Sequence, residues 1–171
     1  FRDNELPSNL IANKNSIPVI LFVDTFNRYY EPENVRSAIK VLKKAGYFPF
    51  IPTVENSRKI LCCGRTYLTN GLINHAKNEV LNILKTYKPY LKNGISIVGL
   101  EPSCILSFRD EIPNLIKNEE TDYLKNNSYT FEELLSKHSE ELKFKNLTKN
   151  VLIHGHCHQK AFDVVKPIEN I

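Results

Sequence analysis

The stretch IPVILFVD, residues 17–24, is a short apolar run rich in β-branched residues, and it ends in an acidic residue. Such a run is typical of a buried strand in a parallel sheet, because helices cover both faces of that sheet. PENVRSAIKVLKKAG (32–46) follows it, with apolar residues at helical spacing, Pro32 at a first-turn position and Gly46 as a stop signal. A strand followed by such a helix predicts the first half of a βαβ unit.

Two further strand–helix steps extend this pattern. YFPFIP (47–52) is predicted to be a strand, at an edge or a strand end because of its prolines, and residues 66–87 are predicted to form one amphipathic helix. GISIVGLE (94–101) is predicted to be a third strand, and PSCILSFRDEI (102–112) opens with Pro and Ser like a helix start. Repeated units of this kind predict an α/β fold with a parallel, Rossmann-like sheet.

The remaining residues are predicted to lead from this first half into a second one. Residues 113–129 are polar, and TFEELLSKH (130–138) begins with Thr130 and Glu133 at capping-box spacing, which predicts a short helix there. The apolar run 151–153 is interpreted as the end of a strand. The predicted divisions are a first α/β half, a connecting segment and the start of a similar, truncated second half: residues 1–112, 113–150 and 151–171.

Composition limits the classes of function. The 171 residues are 42% apolar and 25% charged, enough for one ordinary core. The net charge of +4 comes from scattered lysines, so we do not expect nucleic-acid binding. No apolar stretch approaches the roughly 18 residues of a membrane span, and we expect a cytoplasmic protein without a transmembrane segment or leader. The chain has no methionine, which suggests a piece of a longer polypeptide.

The four cysteines are the strongest functional signal. In a reducing compartment, cysteines of this kind are more often ligands or reactive thiols than disulfide partners. Cys62 and Cys63 follow the second predicted strand, Cys104 follows the third, and Cys157 follows residues 151–153. Ligands of parallel sheets bind beyond the carboxyl ends of the strands. The sequence therefore predicts that three segments bring thiols to one edge of the sheet.

The motif LCCGRTYLTNG (61–71) has two interpretations. In a turn before a helix, Cys62 and Cys63 can both approach one metal centre, where the helix amides stabilise thiolates. Gly64 would relieve crowding and Arg65 would add compensating positive charge. Alternatively, the two cysteines are buried and pack as small apolar groups. The residues alone leave both interpretations open.

The motif GLEPSC (99–104) is less specific. It places Cys104 in the first turn of a predicted helix, where the pKa of a thiol falls. Glu101 and Ser103 are then neighbours that support the thiol. Ordinary helix capping by Pro102 and Ser103, with a buried Cys104, explains the same residues.

The motif HGHCHQK (154–160) is rich in soft ligands. If it were extended, His154, His156 and His158 would share one face of the strand and Cys157 the other. A His-x-His pair on a strand is a familiar arrangement for zinc. The strand is predicted to end here, so the alternation need not continue.

A nucleophilic Cys/His pair is a further alternative. Cys157 or Cys104, activated by a histidine, would suit acyl transfer. This interpretation gives the vicinal cysteine pair no role. His75 and His138 lie in predicted amphipathic helices and are interpreted as structural.

Four motifs in order carry a family resemblance that covers most of residues 18–163. LFVDTFNRYYEPENVRSAIKVLKKAGY, LCCGRTYLTNG, GLEPSCILSFRDE and HGHCHQKAF together resemble the cysteine-rich CCG domain. That domain occurs in glycolate oxidase iron–sulfur subunits, in the B subunit of heterodisulfide reductase and in lactate-oxidation complexes. The chain resembles in particular the carboxy-terminal part of bacterial fusion proteins. These join an FAD-linked dehydrogenase domain, similar to D-lactate and D-2-hydroxyglutarate dehydrogenases, to a ferredoxin-like segment.

The resemblance implies an electron-transfer domain. Electrons from oxidation of a 2-hydroxy acid, such as D-lactate, glycolate or D-2-hydroxyglutarate, would pass from FAD in an upstream domain to an iron–sulfur cluster of the 4Fe–4S type. The implied partners are an FAD-linked dehydrogenase domain or subunit and a ferredoxin-like domain, in the cytoplasm or at the inner face of the membrane. The implied cofactor residues are Cys62, Cys63, Gly64, Arg65, Cys104 and Cys157, with His156 and His158 as additional metal-ligand candidates.

The sequence departs from the family pattern at two places. LFVDTF lacks a cysteine near the first strand, and EPSCILS has one cysteine where the family has C-x-x-C. The second CCG motif of the family would fall beyond Ile171. We therefore do not expect the fragment alone to be catalytic. A structural zinc module of an oxidoreductase complex, closed by cysteine and histidine, is the alternative function.

Overall fold

A computed structural model describes residues 16–54, 60–137 and 148–171. In these residues, one sheet of four parallel strands is sandwiched between helices, which confirms the predicted α/β fold class. The strands lie in the order β2-β1-β3-β4. Their bounds are β1 Ile17–Phe22, β2 Tyr47–Phe50, β3 Ser96–Gly99 and β4 Ser128–Thr130.

The helices of the described residues follow the strands along the chain. They are α1 Thr25–Tyr29, α2 Pro32–Lys44, α3 Arg65–Thr69, α4 Ile73–Leu91, α5 Pro102–Ile105, α6 Glu111–Leu115, α7 Glu119–Asn127, α8 Phe131–Ser136, α9 Cys157–Ala161 and α10 Lys166–Glu169. A 3₁₀ turn, Leu106–Phe108, separates α5 from α6. Pro32 occupies the first turn of α2, as predicted.

Strand β1 is central because β2 and β3 pair with its two edges. Ile17 is in register with Tyr47 of β2, and Val19 with Ser96 of β3. Successive side chains of a strand point to opposite faces, so β1 contributes to two separate apolar clusters. Both faces are buried, which explains why the sequence of β1 is apolar without alternation.

Each face of the sheet has its own helices. The amphipathic helices α2 and α8 bury Leu42 and Leu134 against one face, together with Val19. Helix α4 buries Ile83 and Leu84 against the other face, where α5 and α7 also pack. This burial positions the segment before α3 and the first turn of α5 close to each other, near the carboxyl ends of the strands.

Two predicted helices are interrupted in the structure. Residues 66–87 were predicted as one helix, but α3 ends at Thr69 and α4 begins at Ile73. Gly71 between them has φ +73°, a left-handed conformation that ends the helix. Residues 102–112 likewise form α5, the 3₁₀ turn and the start of α6.

Predictions for the second part of the chain need correction. Residues 113–129 are not merely a connection, because they contain α7 and part of β4, which pairs with β3. The predicted strand at residues 151–153 is wrong. These residues form no strand, and Leu152 is 96% exposed. The capping box of Thr130 and Glu133 is confirmed at the start of α8.

His75 and His138 were predicted to lie in amphipathic helices. His75 lies in α4, is exposed, and places its ring edge-on to Tyr67. His138 lies outside the described residues. In the part of the chain that the structure describes, every helix is too short or too polar to cross a bilayer.

Candidate functional site

The CCG turn, residues 62–64, contains a glycine whose replacement by any other residue would strain the backbone. Gly64 is the N-cap of α3 and has φ +78°, in the left-handed region. A Cβ at this position would lie 3.2 Å from the carbonyl oxygen of Ala76 in α4. The turn therefore presses closely on α4. It also lets the backbone amides of Gly64 and Arg65 hydrogen-bond to the sulfur atoms of Cys62 and Cys63, respectively.

A second close approach positions Cys104. Gly99 ends β3, and a Cβ there would lie only 2.6 Å from the Cβ of Ile105. Helix α5 can therefore lie directly on the end of the strand. Glu101 caps this helix and accepts hydrogen bonds from the backbone nitrogen and the hydroxyl of Ser103, at 3.1 and 2.6 Å. The second interpretation of GLEPSC, helix capping, is thus partly correct, with Glu101 as the capping residue.

These two turns bring thiols into contact. The Sγ atoms of Cys63 and Cys104 are 3.1 Å apart, and the thiol of Cys62 hydrogen-bonds to that of Cys63. Cys63 is buried, whereas Cys62 and Cys104 are half-buried. Two of the three predicted segments therefore meet as expected at the edge of the sheet.

The thiol contacts and burial change the acidity of the site. The hydrogen bond to Cys104, together with burial, raises the pKa of Cys63 to about 12, although Cys62 and the amide of Arg65 oppose this. The hydrogen bond to Cys63 and burial also raise the pKa of Cys62. Both thiols are consequently protonated at neutral pH, and a metal ion would have to displace these protons.

The histidine-rich motif HGHCHQK (154–160) was predicted to place its three histidines on one face if it were an extended strand. In the structure a helix begins within the motif instead. Helix α9 begins at Cys157, and His156 caps it by accepting a hydrogen bond from the His158 amide at 3.2 Å. Gln159 completes this capping box by accepting from the His156 amide at 3.0 Å. His154 is exposed before the helix. The main role of His156 visible in the structure is therefore capping.

Cys157 begins α9, a helix that contacts α5, which carries Cys104. Cys157 is exposed, and its Sγ lies 3.9 Å from Nδ1 of His156. Because that nitrogen already accepts the His158 amide, the pair does not have the arrangement of an activated Cys/His nucleophile.

A charged contact links the CCG turn to the histidine motif. Nη1 of Arg65 lies 2.5 Å from Oε1 of Glu111 and 3.2 Å from Nδ1 of His158. Burial, and then the positive charge of Arg65, lower the pKa of His158, while Glu111 opposes the shift. His158 is therefore neutral at neutral pH and can accept a hydrogen bond from Arg65. This contact joins α3, α6 and α9.

Glu111 is the member of this contact that sequence analysis did not identify. Its Oε2 atom is buried and has no hydrogen-bond partner among the described residues. The sequence places Glu111 at the start of α6, where an acidic residue is ordinary for a helix. No spacing in the sequence links it to Arg65, so only the packing of the helices reveals its role.

The described residues do not form a complete metal site. Among residues 16–54, 60–137 and 148–171, no group of three or more Cys, His, Asp or Glu side chains is arranged to hold a metal ion. The thiols of Cys62, Cys63 and Cys104 are connected in a chain of contacts, which is a different arrangement from a shared coordination sphere. Thiols that suit a soft metal ion are thus present, but the described residues do not complete a coordination site around them.

Comparison with known proteins finds similarity between the chain and parts of dehydrogenases. It is 24% identical to D-2-hydroxyglutarate dehydrogenase of Haemophilus influenzae, over 96% of this chain and 16% of that protein. It is 25% identical to the C subunit of anaerobic glycerol-3-phosphate dehydrogenase of Escherichia coli, over 83% of this chain and 35% of that protein. The chain thus spans well under two thirds of these relatives. No family model and no solved structure matches it.

A third relative agrees with the first. D-2-hydroxyglutarate dehydrogenase of Escherichia coli is 22% identical to the chain, over 67% of this chain and 11% of that protein. These similarities support a role for the chain in an oxidoreductase.

Proposed function

We propose that the chain is an electron-transfer part of an FAD-linked oxidoreductase. Its electrons would come from oxidation of a 2-hydroxy acid such as D-lactate, glycolate or D-2-hydroxyglutarate. The observation that carries the proposal is the contact between Cys63 and Cys104, which lie on separate segments at the edge of a parallel sheet. The similarity of the chain to parts of two dehydrogenases gives independent support.

The thiols suit an iron–sulfur cluster chemically, since Cys is the ordinary ligand of such clusters. Cys62, Cys63 and Cys104 would be the ligands nearest one another, and the backbone amides of Gly64 and Arg65 would stabilise their sulfur atoms. Because the described residues form no complete metal site, further ligands would have to join them. Cys157 is the first candidate, since its neighbour His158 already contacts Arg65.

The proposal includes a larger assembly. An FAD-linked dehydrogenase domain or subunit and a ferredoxin-like domain would supply the electrons, and the two-half organisation of residues 1–112 and 151–171 belongs to the same proposal. The chain by itself would carry electrons without touching the substrate.

The test is metal analysis of two preparations, purified without oxygen: the 171-residue chain alone, and the longer polypeptide or complex that contains it. Iron, zinc and acid-labile sulfide are measured in both. We expect iron and sulfide in the longer form, and we expect Cys104→Ser to reduce them and the visible absorption of the cluster. His75→Ala is the matched control, because His75 is an exposed helix residue. Full iron and sulfide in Cys104→Ser would contradict the proposal.

A structural zinc site is the second candidate function. Three histidines flank an exposed Cys157, and cysteine with histidine is the usual donor set of structural zinc. In that case the chain would be a structural module of an oxidoreductase complex. Zinc without sulfide in both preparations, together with a lower melting temperature on chelation, would favour this function.

A further inference from the structure

We propose that Cys63 and Cys104 form a reversible disulfide, so that the thiol site has an oxidised, closed form. Both cysteines are free in the structure, and their Sγ atoms are 3.1 Å apart. A disulfide bond is about 2.05 Å long, so a shift of about 1 Å closes it. The proposal concerns the metal-free chain and does not require the proposed electron-transfer function.

The geometry selects this pair over the other possible pairs. Adjacent residues such as Cys62 and Cys63 have Cα atoms about 3.8 Å apart, below the usual range of about 4.4–6.8 Å for a disulfide. Cys157 is exposed, and its Sγ lies 3.9 Å from a ring nitrogen of His156, the residue before it. Cys104 is therefore the partner that Cys63 can reach with the least distortion.

The backbones of both cysteines are fixed by close packing. Gly64, directly after Cys63, sits against Ala76 of α4, where a Cβ would be crowded. Gly99 allows Ile105, directly after Cys104, to lie on the end of β3. Since both turns are anchored to the core, the short distance between the sulfur atoms follows from packing at two separate places.

The oxidant that fits the site is a small disulfide such as oxidised glutathione. Cys63 is 5% exposed, whereas Cys104 is half-buried and is the point of entry. The Cys104 sulfur attacks the small disulfide, forms a mixed disulfide and releases one thiol. Cys63 then attacks the Cys104 sulfur and releases the second thiol. Two protein thiols are oxidised by two electrons, the small disulfide is reduced to two thiols, and the two protein protons leave on them.

The disulfide would exclude metal from the site. Cys63 and Cys104 are two of the three thiols in contact, so the oxidised chain keeps only Cys62 as a free donor there. Loading of a metal or cluster on these residues would require the reduced form. Oxidation would thus act as a switch on the same residues that the proposed function uses.

The experiment uses the 171-residue chain, purified with a chelator, with Cys157→Ser as background so that the exposed thiol does not react. This background has three cysteines, Cys62, Cys63 and Cys104. The reduced protein is equilibrated with oxidised glutathione, labelled with a maleimide and digested with trypsin. We expect one free thiol per chain and a linked pair of peptides, residues 60–65 and 93–109, which dithiothreitol separates.

Variants and fragmentation locate the bond. Cys62→Ser should keep the linked pair and Cys63→Ser should lose it. Mass-spectrometric fragmentation between Cys62 and Cys63 gives the same assignment without any variant at Cys63. Three free thiols after oxidation, a link that fragmentation assigns to Cys62, or glutathione retained on Cys104 would each overturn the proposal. Since no metal is present, these results stand apart from the metal content of the longer form.

Discussion

Single residues decide how tightly the CCG turn can lie on α4, and Gly64 shows this most clearly. Two separate costs apply to a side chain at this position. One is the left-handed backbone at φ +78°, and the other is the 3.2 Å approach of a Cβ to the Ala76 carbonyl oxygen. Gly46 has the first feature alone, with φ +82° and no atom within 4 Å of the place where a Cβ would lie. The two glycines therefore form a matched pair for experiment.

We expect Gly46→Ala to lower the free energy of unfolding by about 1–2 kcal/mol, the cost of a left-handed non-glycine residue. Gly64→Ala should lower it by a further ~1–3 kcal/mol because α4 must shift to accommodate the methyl group. Urea denaturation followed by circular dichroism measures both values. An equal decrease in the free energy of unfolding for the two variants would mean that α4 shifts to accommodate the methyl group without loss of stability.

Only some contacts of the candidate site were predictable from the sequence. Cys63 and Cys104 were predicted to converge because each follows a strand, and the carboxyl ends of parallel strands share one edge. The contact of Arg65 with Glu111 and His158 was not predicted. It depends on how three short helices pack, and no local spacing encodes that packing.

Among the elements, β4 and α8 are held to the 3₁₀ turn by one arginine. Arg109 donates from Nε and Nη2 to the Ser128 carbonyl, at 2.8 and 2.6 Å, and makes two hydrogen bonds to the carboxylate of Glu133. Oε2 of Glu133 also accepts from the Thr130 amide, as part of the capping box. The two charged side chains are 15% and 14% exposed, so the pair is largely shielded from water.

Arg109→Met should lower the free energy of unfolding by about 3–5 kcal/mol, because it leaves Glu133 as a largely buried charge without its partner. Lys88→Met is the control, since Lys88 and Glu120 form an ion pair on the surface and we expect little change. Chemical denaturation of both variants gives the comparison. A small effect at Arg109 would mean that water replaces the guanidinium beside Glu133.

Elements were predictable where their signal is local. The capping box at Thr130 and Glu133 predicted α8 because both partners lie within one turn. Strand β4 is three residues long and exists through its pairing with β3, so the polar sequence of 113–129 contained no sign of it. The break at Gly71 was missed because the helical spacing of apolar residues continues across it.

For the whole molecule, the repeated strand–helix pattern was enough to predict a parallel sheet between helices, since each apolar strand needs cover on both faces. The same reasoning failed at residues 151–153. An apolar run becomes a strand only when a neighbouring strand accepts its backbone hydrogen bonds, and this run pairs with none of the strands in the described residues, with Val151 68% exposed. Apolar character alone does not reveal whether such a neighbour exists.

The shared sheet also predicts how the molecule unfolds. Leu42 of α2 and Leu84 of α4 are buried on opposite faces, and strand β1 contributes side chains to both clusters. Leu42→Ala and Leu84→Ala should each lower the free energy of unfolding by about 2–5 kcal/mol. Because loss of either layer exposes the same strand, each variant should shift a single transition, observed equally by far-ultraviolet and tyrosine near-ultraviolet circular dichroism.

Leu81→Ala is the control for this pair, because Leu81 lies on α4 but is 51% exposed, and a change within about 0.5 kcal/mol is expected. If Leu42→Ala split the transition in two, the layer of α2 would unfold while the other face stayed intact. That result would require β1 to keep its pairing to β3 with one face open to water, at the cost of exposing Val19 and Leu21. The apolar sequence of β1, which is buried on both faces of the sheet, argues for the single transition.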